Sequence, residues 1–411
     1  MRIAMVSPTL GSAFGLEQVL MLSVLGLREL GHKVVLIGEI AHASLSQNES
    51  AVLIPGLFST PPILAPKALK RVLKEFKMVL DTFKPDVVHF LDQPHSEIIR
   101  LATSQYPCAL TAHTVAPSCP ASHRLANESS VCSKKSGWSC LIQNKSFGCL
   151  NGFKTDLHRL HTIYDFEKKR TATKEMKAII AISRYVESTL LENGFTKDKV
   201  KLIYNPLPEF KSSQPFSHPK PLIISACRLV PLKGIEYGIR ALKIIEHLDW
   251  DYWILGDGGL KNSLSKLVKE LKLDHKITFK GKVSREESLQ NIRSATMFLQ
   301  PNVGPEGFGL SVAEALCLGT PAVAFNTPAL DEIIESEKNG YLVTAKDTKA
   351  LSEAIEKLIS DPEKRSQFSE FGKTHTPKRF SDKFFLNATL ALYKEIVTPY
   401  NNMGHLSGTK K

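Results

Sequence analysis

Several features are missing from this chain, and each absence narrows what it can be. No run of 18 or more apolar residues occurs among its 411, so no helix in it is long and apolar enough to cross a bilayer. Met1-Arg2-Ile3-Ala4-Met5-Val6 is not followed by an apolar region and a small-residue cleavage site. It reads as a first strand and not as a secretory leader, which makes a cytoplasmic protein the expectation. The Gly-x-Gly-x-x-Gly fingerprint is absent from "GSAFGLEQV" (11–19), and no Walker Lys-Ser/Thr follows. A dinucleotide or P-loop site is therefore unsupported, although Glu39 ends the second strand where a ribose-binding acid would sit. No Cys-x2-Cys pair occurs among the seven cysteines. Cys119, Cys132, Cys140 and Cys149 nevertheless cluster, and in a reducing compartment they read either as plain thiols or as ligands of a structural metal. Acidic residues are short of balance: 41 face 53 Lys and Arg, for a net charge of +12. Up to Asn205 there are 25 cations and 17 acids (+8), and beyond it 28 and 24 (+4). That excess favours a partner carrying negative charge. No groove-reading motif or set of stacking aromatics accompanies it, so nucleic acid is not the expected partner.

What is present is strand–helix alternation, twice over. Arg2 to Ser7 is apolar, and the loop "PTLGSAFG" follows. Leu16 to Leu30 carries apolar residues at helical spacing, and Gly31 stops it. Further strands are expected at 34–37, 87–90, 109–112, 178–182 and 200–204. Residues 205–221, "NPLPEFKSSQPFSHPKP", lack periodicity and read as a linker. Alternation restarts with "LIISACR", "YWILG", "ITFKG" and "TMFLQ", each followed by a helix or by the stretch described next. A late helix, about 380–398, is expected to pack back on the first domain, and the last residues read as disordered. The expectation is an α/β chain of two doubly wound Rossmann-like domains, 1–208 and 218–378, facing across a cleft. Ligands in such sheets sit beyond the carboxyl ends of the strands.

The most informative stretch is "PEGFGLSVAEALCLGTPAVAF", from Pro305 to Phe325. Ser311 and Glu314 have the spacing of a capping box. Glu306 has no such explanation, and the glycines of "GFG" allow backbone N–H groups to approach an anion at a helix start. Upstream, "ACRLVPLKGIEYGIRAL" (226–242) projects Arg228 and Lys233 from one loop after a strand, a pair suited to a diphosphate. "LGDGGL" (255–260) is a further glycine turn into a helix and is weak alone. His113 ends the strand "CALTAH", where it is either an ordinary buried histidine or a site residue. "DWD" (249–251) imitates a metal-binding Asp-x-Asp but leads straight into a strand, so no catalytic metal and no cofactor are expected.

Together with "VKLIYNP" and "FGLEQVLMLSVLGLRELGHKVVLIG", these motifs resemble a retaining glycosyltransferase of the GT-B fold, similar to glycosyltransferase family 4. The resemblance implies a nucleotide diphosphate sugar as donor and a glycan or lipid-linked hydroxyl as acceptor, in polysaccharide or lipopolysaccharide synthesis. It implies that Arg228 and Lys233 hold the diphosphate and that Glu314 binds the ribose. Glu306 would meet the donor sugar, and the amides of Phe308, Gly309 and Leu310 would meet sugar or phosphate. Gly256 belongs to the same donor set. The Gly11–Gly15 loop would close on the diphosphate from the other domain, with His113 near the sugar. Two departures stand out: Phe14-Gly15-Leu16-Glu17 where relatives commonly carry two adjacent glycines, and Thr114 where they often carry Asp or Asn. A nucleotide-sugar epimerase of the same fold and a non-enzymatic basic binding protein are the rival readings.

The segment 66–84 is amphipathic. Leu69, Val72, Leu73, Phe76, Val79, Leu80 and Phe83 form one stripe, with Lys67, Lys70, Arg71, Lys74 and Lys77 beside it. It reads as a surface helix packed on the sheet. The sharper reading is docking on the anionic inner face of a membrane.

Overall fold

The computed structural model describes residues 1–11, 15–41, 50–59, 66–126, 130–150, 155–210 and 214–404. Parts of the 11–15 loop, of the linker and of the carboxyl terminus (12–14, 211–213 and 405–411) lie outside the described residues. The chain divides into two compact units. The first is Met1–Arg124, Ser133–Pro206 and Asp382–Lys411; the second is Leu125–Cys132 and Leu207–Ser381.

In the first unit the strands are β1 (Arg2–Leu10), β2 (Lys33–Ala41), β3 (Ala51–Leu53), β4 (Val87–Phe90) and β5 (Cys108–Ala112). A short hairpin of the second unit, β6 (Leu125–Ala126) and β7 (Ser130–Val131), interrupts the series before β8 (Ala178–Ala181) and β9 (Val200–Leu202). The helices are α1 (Leu16–Glu29), α2 (Pro66–Phe83), α3 (Ser96–Thr103), α4 (Cys140–Phe147), α5 (Asp156–Lys174) and α6 (Arg184–Glu192). The sheet is parallel, in the order β3-β2-β1-β4-β5-β8-β9. Both faces of its central strands are covered: Ile3, Ala4, Met5 and Val6 of β1 are all buried. This is why they read as an unbroken apolar run.

In the second unit, β10 (Leu222–Ala226), β11 (Asp251–Leu255), β12 (Ile277–Gly281), β13 (Met297–Gln300), β14 (Ala322–Phe325) and β15 (Gly340–Val343) form a parallel sheet ordered β12-β11-β10-β13-β14-β15. Its helices are α7 (Ile235–Ile244), α8 (Lys261–Glu270), α9 (Arg285–Arg293), α10 (Leu310–Cys317), α11 (Thr348–Ser360) and α12 (Pro362–Arg379). On α7, Ile235, Ile239 and Leu242 fall at helical spacing and are buried in the unit's core with Trp250 and Tyr252. Each such side chain contributes about 1.5–3 kcal/mol, and a charge at Ile239 would forfeit it. A final helix, α13 (Asp382–Gly404), belongs to the first unit and packs on α1. The approach is close: a Cβ on Gly26 would lie 2.2 Å from Leu386 Cδ1.

Both sheets reverse their strand order beside their first strand, between β1 and β4 and between β10 and β13. A crevice opens at such a point, beyond the carboxyl ends of the two strands. The loops that matter are therefore those after β10 and β13 in one unit and after β1, β4 and β5 in the other.

The remaining expectations resolve as follows. Strands β1 and β2 run three to four residues further than the sequence suggested, through Pro8-Thr9-Leu10 and Gly38-Glu39-Ile40-Ala41. On α2 the apolar stripe is spent on the sheet, with Leu69, Val72, Phe76 and Leu80 buried; the outward face is charged and pairs Lys77 with Asp81 at 2.7 Å. Of the four clustered cysteines, Cys119 and Cys140 are buried and Cys132 and Cys149 half-buried, and no group of three or more metal-ligating residues occurs among the described residues. Cys140 lies in an apolar cluster with Leu150 and Ile163, and its Sγ accepts from the Gly137 amide at 3.4 Å.

Candidate active site

In the second unit, β10 ends at Ala226 and its loop carries Arg228 and Lys233; β13 ends at Gln300 and its loop carries Asn302 and Glu306. The geometry brings three of these loop residues together. The Glu306 carboxylate accepts from Lys233 Nζ and from Asn302 Nδ2, and from Gln300 Nε2 at 3.3 Å. Gln300 Nε2 also donates to Asn302 Oδ1 at 2.9 Å. Gln300 and Asn302 are buried, while Lys233 and Glu306 keep about a sixth of their side-chain surface exposed. Glu306 thus has a structural partner set that the sequence did not reveal, and Lys233 is engaged by it. Arg228 stands exposed at the same loop. The neighbouring Cys227 thiol is pushed up to about 11, chiefly by burial, with Lys233 and Arg228 pulling against it and Glu306 with it.

The glycine turn 255–260 seats this loop. Leu229 N donates to Asp257 O at 2.9 Å, and Leu260 N donates to Leu229 O at 3.0 Å. Gly256 has φ 128°, and a Cβ there would lie 2.0 Å from the Cys227 carbonyl oxygen. A side chain is excluded by backbone, which does not yield as a side chain would.

The helix after Glu306 starts earlier than the capping-box spacing required. Gly309, at φ 100°, is the cap residue of α10; it makes no side-chain cap bond, and Ser311 lies already inside the helix. Glu314 is buried and accepts from Arg285 Nη2, at the start of α9, at 2.8 Å. Its role is an ion pair to a neighbouring helix, which corrects the capping reading. The amides of Gly309 and Leu310 have no partner among the described residues, so two donors at a helix start stay available. Phe308 is buried edge-to-face against Phe380, with centroids 5.1 Å apart. The carboxylates of "DWD" are engaged at the amino ends of the strands, Asp249 with Lys220 at 3.1 Å and Asp251 with His218 at 2.7 Å.

In the first unit a cavity of about 230 Å³ lies beyond β4 and β5, lined by Leu16, Asp92, Gln93, Thr111, His113 and Thr114 among others. His113 is half-buried, and its Nε2 is buried without a partner among the described residues. Burial and the nearby His89 hold its ring far below the usual range, at about 3, so it is neutral at physiological pH. Asp92 is raised by burial. His89 is buried beneath, with Nδ1 2.5 Å from the Tyr393 hydroxyl and Nε2 2.7 Å from Thr111 Oγ1. Gly11 (φ 113°) and Gly15 (φ 60°) flank residues outside the described set, and Gly15 caps α1. Glu39 accepts from the Phe58 and Ser59 amides and so anchors the segment after β3.

Sequence reasoning missed Gln300, Asn302, Arg285, Asp92 and Gln93. Gln300 had a readable signal, a polar residue closing the apolar strand "TMFLQ". Arg285 had none, since it lies 29 residues from Glu314.

Comparison with known proteins agrees with the two-unit α/β fold. Residues 208–375 match the family model described as glycosyl transferases group 1, and residues 15–208 match that of glycosyltransferase family 4. An uncharacterized glycosyltransferase of Methanocaldococcus jannaschii is 28% identical over 262 residues, 58% of this chain and 67% of the relative. Other curated relatives are matched over about half of their length. A glycosyltransferase structure from Rickettsia africae superposes with a TM-score of 0.69 at 18% identity, covering 96% of this chain and 99% of that one. Anabaena HepE in complex with UDP-glucose gives 0.68 at 16% identity, covering 96% and 100%. The fold is GT-B.

Proposed function

We propose that this chain, a GT-B glycosyltransferase resembling family 4, moves a sugar from a nucleotide diphosphate donor to a hydroxyl of a glycan or lipid-linked acceptor, with retention and without a catalytic metal. The observation that carries the reading is the grouping at the β10/β13 switch point. A cation, a carboxylate and two carboxamides converge there beside the free amides of a helix start. Departure of a nucleoside diphosphate develops negative charge, and fixed cations and amides stabilise it without reorganising. Arg228 and Lys233 take the diphosphate, and the amides of Gly309 and Leu310 take phosphate or sugar oxygens. Glu306, freed from Lys233 as phosphate arrives, accepts from donor-sugar hydroxyls. Glu314 reaches the ribose while held by Arg285. His113, neutral and with Nε2 unpartnered, meets a sugar hydroxyl. Attack comes from the face the leaving group occupies, with a phosphate oxygen accepting the proton.

The test is thermal stabilisation by a panel of nucleoside diphosphates, beginning with UDP because a structural neighbour binds UDP-glucose. At a hundredfold excess over its Kd a ligand stabilises by about 2.7 kcal/mol. Selective stabilisation by one base, lost in Arg228→Ala and followed by sugar transfer to an acceptor, supports the reading. Conversion of the donor sugar without any acceptor would replace it with the epimerase. Folded protein that no nucleotide stabilises would end it.

A further inference from the structure

The segment between β5 and β8 carries apolar surface that the function above leaves unused. Trp138, Ile142, Leu157, Leu160 and Tyr164 are all large and exposed, with Ile142 at 75% and Leu157 at 74%. They belong to one substructure. Helices α4 and α5 pack on each other through Cys140, Leu150 and Ile163, and Arg159 Nε donates to the Leu150 carbonyl at 3.3 Å. On α5, Leu157, Leu160 and Tyr164 fall on one face beside the buried Ile163; on α4, Ile142 lies opposite the buried Cys140. Isolated exposed apolar residues are ordinary, but a group on two packed helices marks an interaction surface.

Charge identifies the partner. On the described part of this substructure the acids are each matched by a cation: Asp156 by Arg159 at 2.7 Å, Asp165 by Lys169 at 3.1 Å and Glu167 by Arg170 at 2.5 Å. Lys134 and Lys135 are exposed just before Trp138. A two-fold pair of copies would set this positive face against itself. Trp and Tyr beside Ile and Leu, edged by lysines, is the composition that settles at the boundary between headgroups and acyl chains. We propose that the α4–α5 face docks the protein on an anionic lipid bilayer. Apolar side chains enter the boundary while Lys134 and Lys135 stay at the headgroups. Helix α2 offers less apolar surface, because Leu69, Val72, Phe76 and Leu80 are buried. The inference does not rest on sugar transfer.

The full chain is mixed with phosphatidylcholine vesicles, and with vesicles in which about a quarter of the lipid is phosphatidylglycerol, and partition is read by flotation. The wild type should prefer the anionic vesicles by about tenfold or more. Ile142→Glu/Leu157→Glu/Leu160→Glu, all exposed changes, should lower that partition by about tenfold or more and leave the melting temperature and any nucleotide-induced shift as they were. Of the other two tryptophans, Trp250 is fully buried and Trp253 is packed against Phe216 and His218 in the second unit. A blue shift of fluorescence on vesicle addition, abolished in Trp138→Phe while partition persists, should therefore report entry of Trp138. Equal partition of wild type and triple variant would overturn the proposal, as would no preference for anionic vesicles. So would a larger loss from Lys67→Glu/Lys70→Glu/Lys74→Glu on α2 than from the triple change. A wild-type dimer that Leu160→Glu converts to monomer without vesicles would overturn it in favour of a second copy.

Discussion

The carboxyl ends of the two sheets solve the same topological problem with opposite electrostatics. Beyond β10 and β13, charge is kept by pairing: Glu306 with Lys233 and Glu314 with Arg285, largely out of solvent, and Arg228 exposed beside them. Beyond β4 and β5, charge is suppressed. Burial keeps His113 and His89 neutral, at about 3 and about 4, and raises Asp92. A paired, partly exposed set can exchange an internal partner for a ligand's charge at little cost. A buried neutral imidazole offers hydrogen bonds to hydroxyls and disfavours charge. The first arrangement suits a diphosphate leaving group and the second suits sugar hydroxyls.

The comparison breaks most severely at Lys233. Lys233→Met removes the cation that answers Glu306 and, in the proposed reaction, the diphosphate. Initial transfer rates should fall on the order of 10³-fold, about 4 kcal/mol, while the fold persists. A glycine pair gives the next largest effect. Gly256→Ala drives a Cβ to within 2.0 Å of the Cys227 carbonyl oxygen at a positive φ, whereas a Cβ on Gly15 meets nothing within 4 Å. Urea midpoints should report a loss of about 3 kcal/mol for Gly256→Ala and about 1 kcal/mol for Gly15→Ala. Equal losses would mean that the loop after β10 is not seated as described.

The neutral pocket is sharpened by pH. The folded His89 has a pKa near 4, below its ordinary 6.5, so the unfolded chain binds the extra proton. Its contribution is fully present above pH 6.5 and is lost as pH falls toward 4. Between pH 7.5 and 4.5 wild type should lose about 2 kcal/mol more than His89→Asn, read from denaturation midpoints at each pH.

The same contrast explains what was legible in the sequence. Alternating apolar strands and helices give both sheets away, because parallel strands buried on two faces must be apolar throughout. The charged loops of the second unit were legible too, since Arg228, Lys233, Glu306 and Glu314 stand close to glycine turns. Their partners were not. Pairing of Glu314 with Arg285 depends on how α9 lies against α10, and that is tertiary packing. The capping-box spacing misled because a left-handed glycine can start a helix without any side-chain cap. In the first unit, Asp92 and Gln93 follow β4 with no glycine or charge pattern to mark them. Leu69, Val72, Phe76 and Leu80 could have served a membrane or a sheet equally well; periodicity specifies a face, not its partner.

The smallest effect separates the proposed carboxylate site from the Asp-x-Asp at 249–251. Asp249 and Asp251 flank the fully buried Trp250, and both are tied down at the amino ends of the strands, to Lys220 and His218. Ligand chemistry belongs at the other end of a parallel sheet. Asp249 and Lys220 are both well exposed, and such pairs are screened by water and salt. Asp249→Asn should therefore leave the denaturation midpoint and the transfer rate unchanged, and a chelator should act alike on variant and wild type. A selective loss of rate on adding chelator, abolished by Asp249→Asn, would place a metal at "DWD" and move the reacting phosphates away from Lys233.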